Sequence, residues 1–282
     1  MSSGNISPVF AKMFSDECKV AYAGMQKLAN STQEKTNVIG SSAQFQVASK
    51  GIAQAHAGVQ DVTPMGIDFT PSVATLTPYV APEYTTIFQQ QQISFDERRV
   101  LVETIASAIG RRMDQEKIDA MTASGTTNNV AVGLGGNNAF NMAKLRRLGK
   151  LLDEQAVPES GRHIAWSTAA KEQLLATTEA TSSDFNTVMA LVNGTLDSFY
   201  GFKFHMIETR DEGGLPLSGN NRTVYAWHED SIGTAVGVNF RTEINYIAEK
   251  VGWLVNGLFS CGAVAIDPKG IASATIDESV VV

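Results

Sequence analysis

The sequence predicts an α+β chain in which helices and strands serve more than one packed body. Three observations point there. Residues 96–123 carry one unbroken helical period. Residues 139–248 alternate helix-period and strand-period segments. Residues 37–95 show strand alternation with almost no charge, since only Lys50, Asp61, Asp68 and Glu83 are ionised there. The period of the apolar pattern separates these cases, because helices repeat near 3.6 residues and strands at 2.

In chain order, Val9, Met13, Val20, Met25 and Leu28 recur at helical spacing and predict a helix over 8–30. Ser7-Pro8 supplies its cap and first turn, and Asn30-Ser-Thr ends it. Phe45 and Val47 alternate with Gln44 and Gln46 as one strand, and Val73 to Val80 forms a second extended run. Pro64, Pro71, Pro78 and Pro82 forbid helix there and suit edge strands. The pair reads as a long two-stranded ribbon with a large loop over 51–71. A two-stranded ribbon is marginal alone in water, so this one needs cover from another surface. Asp96 and Glu97 open the long helix, where the macrodipole favours acids. Leu101, Ile105, Ile109 and Met113, then Ile118 and Met121, form its apolar stripe.

Met142, Leu145, Leu148 and Leu152 predict a further helix, and Arg162 to Trp166 a buried strand. Ser167 caps a helix through Leu175, and Asn186–Val192 forms another. Strands follow at Phe202–Ile207 and Thr223–Trp227, a short helix at Glu229–Val236, and a strand at Arg241–Ile247. Residues 139–248 together read as a compact unit with a mixed sheet. Residues 250–276 are extended and apolar, with a turn at Asp267-Pro-Lys-Gly, and Asp277–Val282 is a tail without an evident partner.

Composition narrows the function. Apolar residues make up 43% of the 282, enough for a substantial core. The net charge is −7, the pI is about 5.2 and the mean hydropathy is −0.06. An acidic chain without a basic stripe is poorly suited to gripping nucleic-acid phosphates. No apolar run is long enough to span a membrane, and the N-terminus does not read as a secretory leader. Two cysteines, Cys18 and Cys261, predict buried reduced thiols rather than a bridge.

The chemical motifs resolve to structure. The four histidines, His56, His163, His205 and His228, lack the spacing of a local zinc site. His163 and His205 sit in apolar strands and read as structural. His228-Glu229-Asp230 reads as a cap with acids in the first turn. Val132-Gly-Leu-Gly-Gly-Asn137 lacks the Gly-Lys-Ser/Thr ending and the preceding strand of a phosphate loop. No Gly-x-Ser-x-Gly elbow occurs. No enzyme and no cofactor emerge. Two basic pairs, Arg98-Arg99 and Arg111-Arg112, stand on the long helix and are expected to meet carboxylates of a partner subunit.

The order of the elements resembles the HK97-type major capsid protein of tailed bacteriophages. Four passages carry the resemblance: Thr75–Val80 through Thr85–Phe88 into the helix to Met121; Lys150–Pro158 followed by Gly161–Trp166; Gly194 through Asp197–Phe204; and Ala265–Pro268 with Ile271 onward. The resemblance implies an N-terminal arm at 1–36 and an extended β-hairpin, the E-loop, at 37–80. It implies a P-domain of 81–137 and 249–265 around the spine helix, and a compact mixed-sheet A-domain of 138–248 and 266–282. It further implies a homo-oligomer of pentamers and hexamers in an icosahedral head, assembled in the host cytoplasm. Double-stranded DNA would be packaged without tight specific binding, with a portal and a separate scaffolding protein as partners and no membrane. Residues Lys50, Pro64, Met65, Arg98, Arg99, Arg111 and Arg112 are the expected inter-subunit contacts. Some members of the family weld subunits through a Lys–Asn isopeptide bond. Here Lys50 and Asn256 are the candidates, but 251–266 carries no carboxylate to take the proton, so a non-covalent shell is expected. An encapsulin-like compartment shell shares the fold and is the alternative; a small-molecule enzyme built on 139–248 is a third reading.

Overall fold

Leu101, Ile105 and Ile109 face one way on a helix and Ile118 and Met121 continue the stripe, and the chain uses the two ends against different partners. The computed structural model describes residues 25–56, 58, 61, 64–86, 97–176 and 198–280. Within it the spine helix α1 runs over Glu97–Thr122, close to the predicted span. At 1.5 Å per residue it is about 39 Å long, enough to bridge two bodies.

The first strands are β1 (Gln33–Lys35), β2 (Ser42–Ala48), β3 (Phe69–Thr75) and β4 (Thr77–Thr86). After α1 come β5 (Asn129–Val130), α2 (Met142–Glu154), β6 (Arg162–Trp166) and α3 (Thr168–Leu175). The caps follow the sequence: Asn141 accepts from the Lys144 amide to start α2, and Ser167 accepts from the Ala170 amide to start α3. Then follow β7 (Ser198–Phe199), β8 (Phe202–Met206), β9 (Leu217–Ser218) and β10 (Asn221–His228). The last are β11 (Ile232–Val236), β12 (Arg241–Ile247), β13 (Gly252–Ala265) and β14 (Ile271–Asp277).

A compact mixed sheet has the order β5-β14-β10-β6-β8-β7, with β9 on β10. One face packs on α2 and α3 through Phe140, Leu145, Leu148, Ile164 and Trp166. The opposite face meets the C-terminal half of α1, with Leu28, Ile118, Met121, Tyr225 and Trp227 between them. A second sheet is built around β13, which pairs with β4 on one side and with β11 and β12 on the other; β1 lies parallel beyond β11. Its inner face packs on the N-terminal half of α1 through Ile105, Ile109, Val255 and Phe259. A Cβ on Gly257 would run into Ile105, so the glycine sets how closely strand and helix approach.

Several sequence expectations need correction. Residues 25–30 are extended and turn rather than helix, and 8–24 lie outside the described residues. Residues 229–236 are a single 3-10 turn, Glu229–Ser231, followed by β11. Ile232, Thr234 and Val236 are β-branched, and the whole strand is buried between β1 and β13, which favours the pleat over a helix. Strands β11 and β12 therefore belong to the sheet of β13, not to the compact sheet in which the sequence reading grouped them. The tail is held as well: the Glu278 amide donates to Asn220, Arg222 pairs with Glu278 at 2.7 Å, and Gln173 donates to the Val280 carbonyl. The predicted helix at 186–192 lies outside the described residues.

Candidate assembly surface

The ribbon forms as expected, with β2 antiparallel to β3 and Phe45 opposite Ser72. Alternation then sorts its side chains. Ala43, Phe45 and Ala74 face inward and are buried against Ala235 and Ile266. The base of the ribbon is thus covered by its own chain, which corrects the expectation that all its cover must come from elsewhere. The outer face is different. Gln44 and Gln46 alternate there with Val73, which is 46% exposed, and Phe69, which is 67% exposed. Beyond the strands, Ile52, Met65 and Ile67 are exposed on the connecting loop. Met65 lies over Gly51, where an added Cβ would sit 3.0 Å from its sulfur, so the two arms of the loop touch. An apolar strip on an exposed ribbon with few charges marks an interaction surface.

Val73 to Val80 is extended, but it serves two sheets. It leaves β2 at Thr75 and joins β13 at Thr77, with Leu76 between them. Gly262 of β13 lies under that crossing, where a Cβ would collide with the Thr75 carbonyl. Tyr79 then anchors β4 to α1. Its ring stacks on Phe259 with centroids 5.1 Å apart, and its hydroxyl donates to Glu116. Arg112 donates to that hydroxyl and to Glu116, each at 2.9 Å, with its guanidinium 4.7 Å above the Tyr79 ring. Burial, then the hydrogen bond to Glu116, push the Tyr79 hydroxyl above its usual range.

The expected contact residues divide. Pro64 and Met65 are exposed on the loop, and Lys50 is exposed at its start. Lys50 lines a cavity of about 590 Å³ between the ribbon base, Ala156–Pro158 and Asp267–Lys269. Arg111 finds its carboxylate within the chain, donating through Nε to both oxygens of Glu212 at 3.0 and 3.1 Å. Arg112 is engaged by Glu116 and Tyr79 as above. Arg99 lies exposed near the start of α1, while the Arg98 side chain is outside the described residues.

Residues that the sequence reading did not single out fasten the two bodies. Residues 25–35 form a strap over α1 and the compact sheet. The Asp114 carboxylate is fully buried; it accepts from the Lys27 amide at 2.7 Å and the Leu28 amide at 3.0 Å. Arg210, also fully buried, donates to the same carboxylate at 2.9 Å. Lys117 donates to the Leu28 carbonyl at 2.8 Å and pairs with Glu34 at 3.1 Å, and Trp227 donates to the Ser31 carbonyl at 2.7 Å. The periodicity of α1 puts these polar side chains beside its apolar stripe, but only the fold supplies their partners.

Cys261 and His228 sit in structural settings. Burial pushes the Cys261 thiol up to about 12, which suppresses its thiolate. The His228 ring accepts from the Asp230 amide and caps the 3-10 turn. Among the described residues no group of three or more His, Cys, Asp or Glu could hold a metal ion, and no helix is long and apolar enough to cross a membrane.

A sequence model of the phage capsid protein family matches residues 6–278. The chain belongs to the phage capsid protein family. Its fold is the HK97-type fold, and solved capsids share it throughout the chain. The capsid of Cyanophage P-SCSP1u is 15% identical with a TM-score of 0.75, and the match covers 95% of this chain and 93% of that one. Mycobacterium phage Che8 is 14% identical with a TM-score of 0.70, covering 99% and 100%. The head of Helicobacter pylori bacteriophage KHP40 is 10% identical with a TM-score of 0.72, again covering 99% and 100%. No curated protein sequence matches. As a phage capsid protein the chain is a structural component of the virion shell, and the exposed ribbon is read in that light.

Proposed function

We propose that this capsid protein assembles through pentamers and hexamers into the icosahedral head of a tailed phage, around double-stranded DNA. The observation that carries the reading is the ribbon's outer face, where Phe69, Val73, Met65, Ile67 and Ile52 stay exposed in the single chain. Burying such side chains is worth about 1.5–3 kcal/mol each, so a second copy laid across them gains substantially. A closed shell also covers the outer edge of β12, which among the described residues pairs only with β13 and otherwise invites uncontrolled pairing. The proposed division is an arm at 1–36, an E-loop at 37–80, a P-domain of 81–137 with 249–265, and an A-domain of 138–248 with 266–282, with β11 and β12 crossing into the sheet around β13. Lys50, Pro64, Met65, Arg98 and Arg99 are the proposed contacts to neighbours. Assembly takes place in the host cytoplasm, with a portal and a separate scaffolding protein as further partners.

The test is electron microscopy and sedimentation of the expressed full chain, followed by analysis of what copurifies. Closed icosahedral particles with both five-fold and six-fold clusters are expected. A dispersed monomer at assembly concentrations, both alone and with a scaffolding protein co-expressed, contradicts the reading. Particles that enclose an enzyme rather than nucleic acid would favour an encapsulin-like shell.

A further inference from the structure

His163 on β6 and His205 on β8 stack with ring centroids 5.1 Å apart, and both lie against the Trp227 ring. His163 Nδ1 is 2.9 Å from His205 Nε2, and His205 Nδ1 is 2.9 Å from the Lys27 carbonyl. These distances order the protons. A carbonyl only accepts, so His205 donates through Nδ1 to the strap. Neutral His205 then accepts at Nε2, and His163 donates to it through Nδ1. His163 Nε2 is left as a bare acceptor, buried without a hydrogen-bond partner among the described residues.

We propose that this histidine pair is an acid-sensitive latch: a proton taken up by the pair unseats residues 25–35 from α1 and the compact sheet. One added proton must either place an N–H at the partnerless His163 Nε2 or turn two N–H groups toward each other between the rings. The first strands a charged N–H in a buried position with no acceptor, and the second breaks the hydrogen bond between the rings, so both penalise the packed arrangement that holds Lys27. The surroundings do not welcome the charge. Lys203 on β8, Lys117 on α1 and His228 at the end of β10 all oppose it at His163. At His205, Lys203 and Lys117 again oppose it; Asp114 favours it, but that carboxylate is already shared with Arg210. Glu34 of the strap is engaged by Lys117.

The direction follows from linkage. Burial, with His205 second, holds His163 down at about 4, against 6.5 for a free imidazole. Between those values the unseated form carries more protons, so docking is full above pH 6.5 and weakens as pH falls toward 4. For His163 alone, the two values set an upper bound of about 20-fold on the loss in the docking constant from pH 7 to pH 5, reached when unseating returns the ring to the free value. Burial also lowers His205, which adds in the same sense.

Hydrogen exchange on the full chain, corrected for intrinsic rates, tests this. Protection of the Lys27 and Leu28 amides is expected to fall severalfold, up to about 20-fold, between pH 7 and pH 5, while the amides of β14 hold. The double variant His163→Phe with His205→Gln keeps a ring against Trp227 and an amide donor for Lys27; its strap protection should be flat with pH. No fall in the wild type, an equal fall in β14, or the same fall in the double variant would overturn the latch. An NMR titration of the two rings in the wild-type chain decides independently of the variant. Rings that stay neutral while the strap is protected support the latch, and rings charged at pH 5.5 beneath a protected strap refute it.

Discussion

Asp114→Ala is the perturbation on which the joint between the two bodies depends most. The carboxylate has no exposure, and its removal strands three donors at once: the Lys27 amide, the Leu28 amide and the Arg210 guanidinium. Arg210 is also fully buried and keeps only Glu208, at 3.0 Å, as a carboxylate partner. Breaking a buried ion pair by deleting one member costs about 3–5 kcal/mol. Each orphaned amide adds a penalty of about 1–3 kcal/mol where water cannot reach it. These costs overlap, so a total near 4–6 kcal/mol is expected, a large part of the roughly 5–15 kcal/mol that holds a folded domain. Urea unfolding followed by tryptophan fluorescence reads the joint directly, since Trp227 donates to Ser31 of the strap. The control is the pair Asp114→Leu with Arg210→Met, which removes both charges and should recover the ion-pair part of the loss, while the two amides stay orphaned. A single-variant cost under about 1 kcal/mol, or a double variant no better than the single, would refute the reasoning.

Three further outcomes follow from the same geometry. Gly262→Ala places a methyl against the Thr75 carbonyl, so the chain should lose about 1–3 kcal/mol in a thermal melt; an unchanged midpoint would show that the crossing can shift. Disassembled subunits, at −7, should bind duplex DNA weakly even at low salt, and tight salt-sensitive binding in a filter assay would contradict this. Mature particles boiled in denaturant should run as one band near 30.2 kDa, and a ladder of larger species would reveal covalent welding.

That last expectation shows where sequence reasoning stops. It rested on 251–266 having no carboxylate near Asn256. The register of β12 on β13 sets Glu243 directly opposite Asn256, so a base does stand nearby, although Arg241 engages it at 3.2 Å. The expectation of a non-covalent shell now rests on that engagement and on Lys50 lying at the start of the ribbon loop. Local signals were legible for a physical reason. Ser167, Pro71, Pro82 and the stripe of α1 act within a few residues, so α3, the edge strands and the spine helix followed from them. The histidine cap at His228 was legible on the same ground. Strand β11 was missed because Glu229-Asp230-Ser imitates a helix start, and only pairing with β1 and β13 decides for the pleat. Asp114, Lys117 and Arg210 were not singled out because their partners lie far along the chain. The burial of Phe45 depends on Gly233, 188 positions away, whose missing side chain makes room for the ring. No periodicity carries that information.

The central claim is that the chain completes its own cores but leaves the ribbon tip for a neighbour. Replacing residues 51–67 with a short glycine turn tests it. Ser49 and Asp68 already close the ribbon there, the Ser49 amide donating to the Asp68 carbonyl at 2.8 Å. The cut therefore leaves β2, β3 and both large sheets intact. Sedimentation of the truncated protein, beside its near-ultraviolet circular dichroism, is the measurement. A native-like spectrum with no particle larger than a free capsomer is the predicted result. Normal shells from the truncated chain would contradict the account.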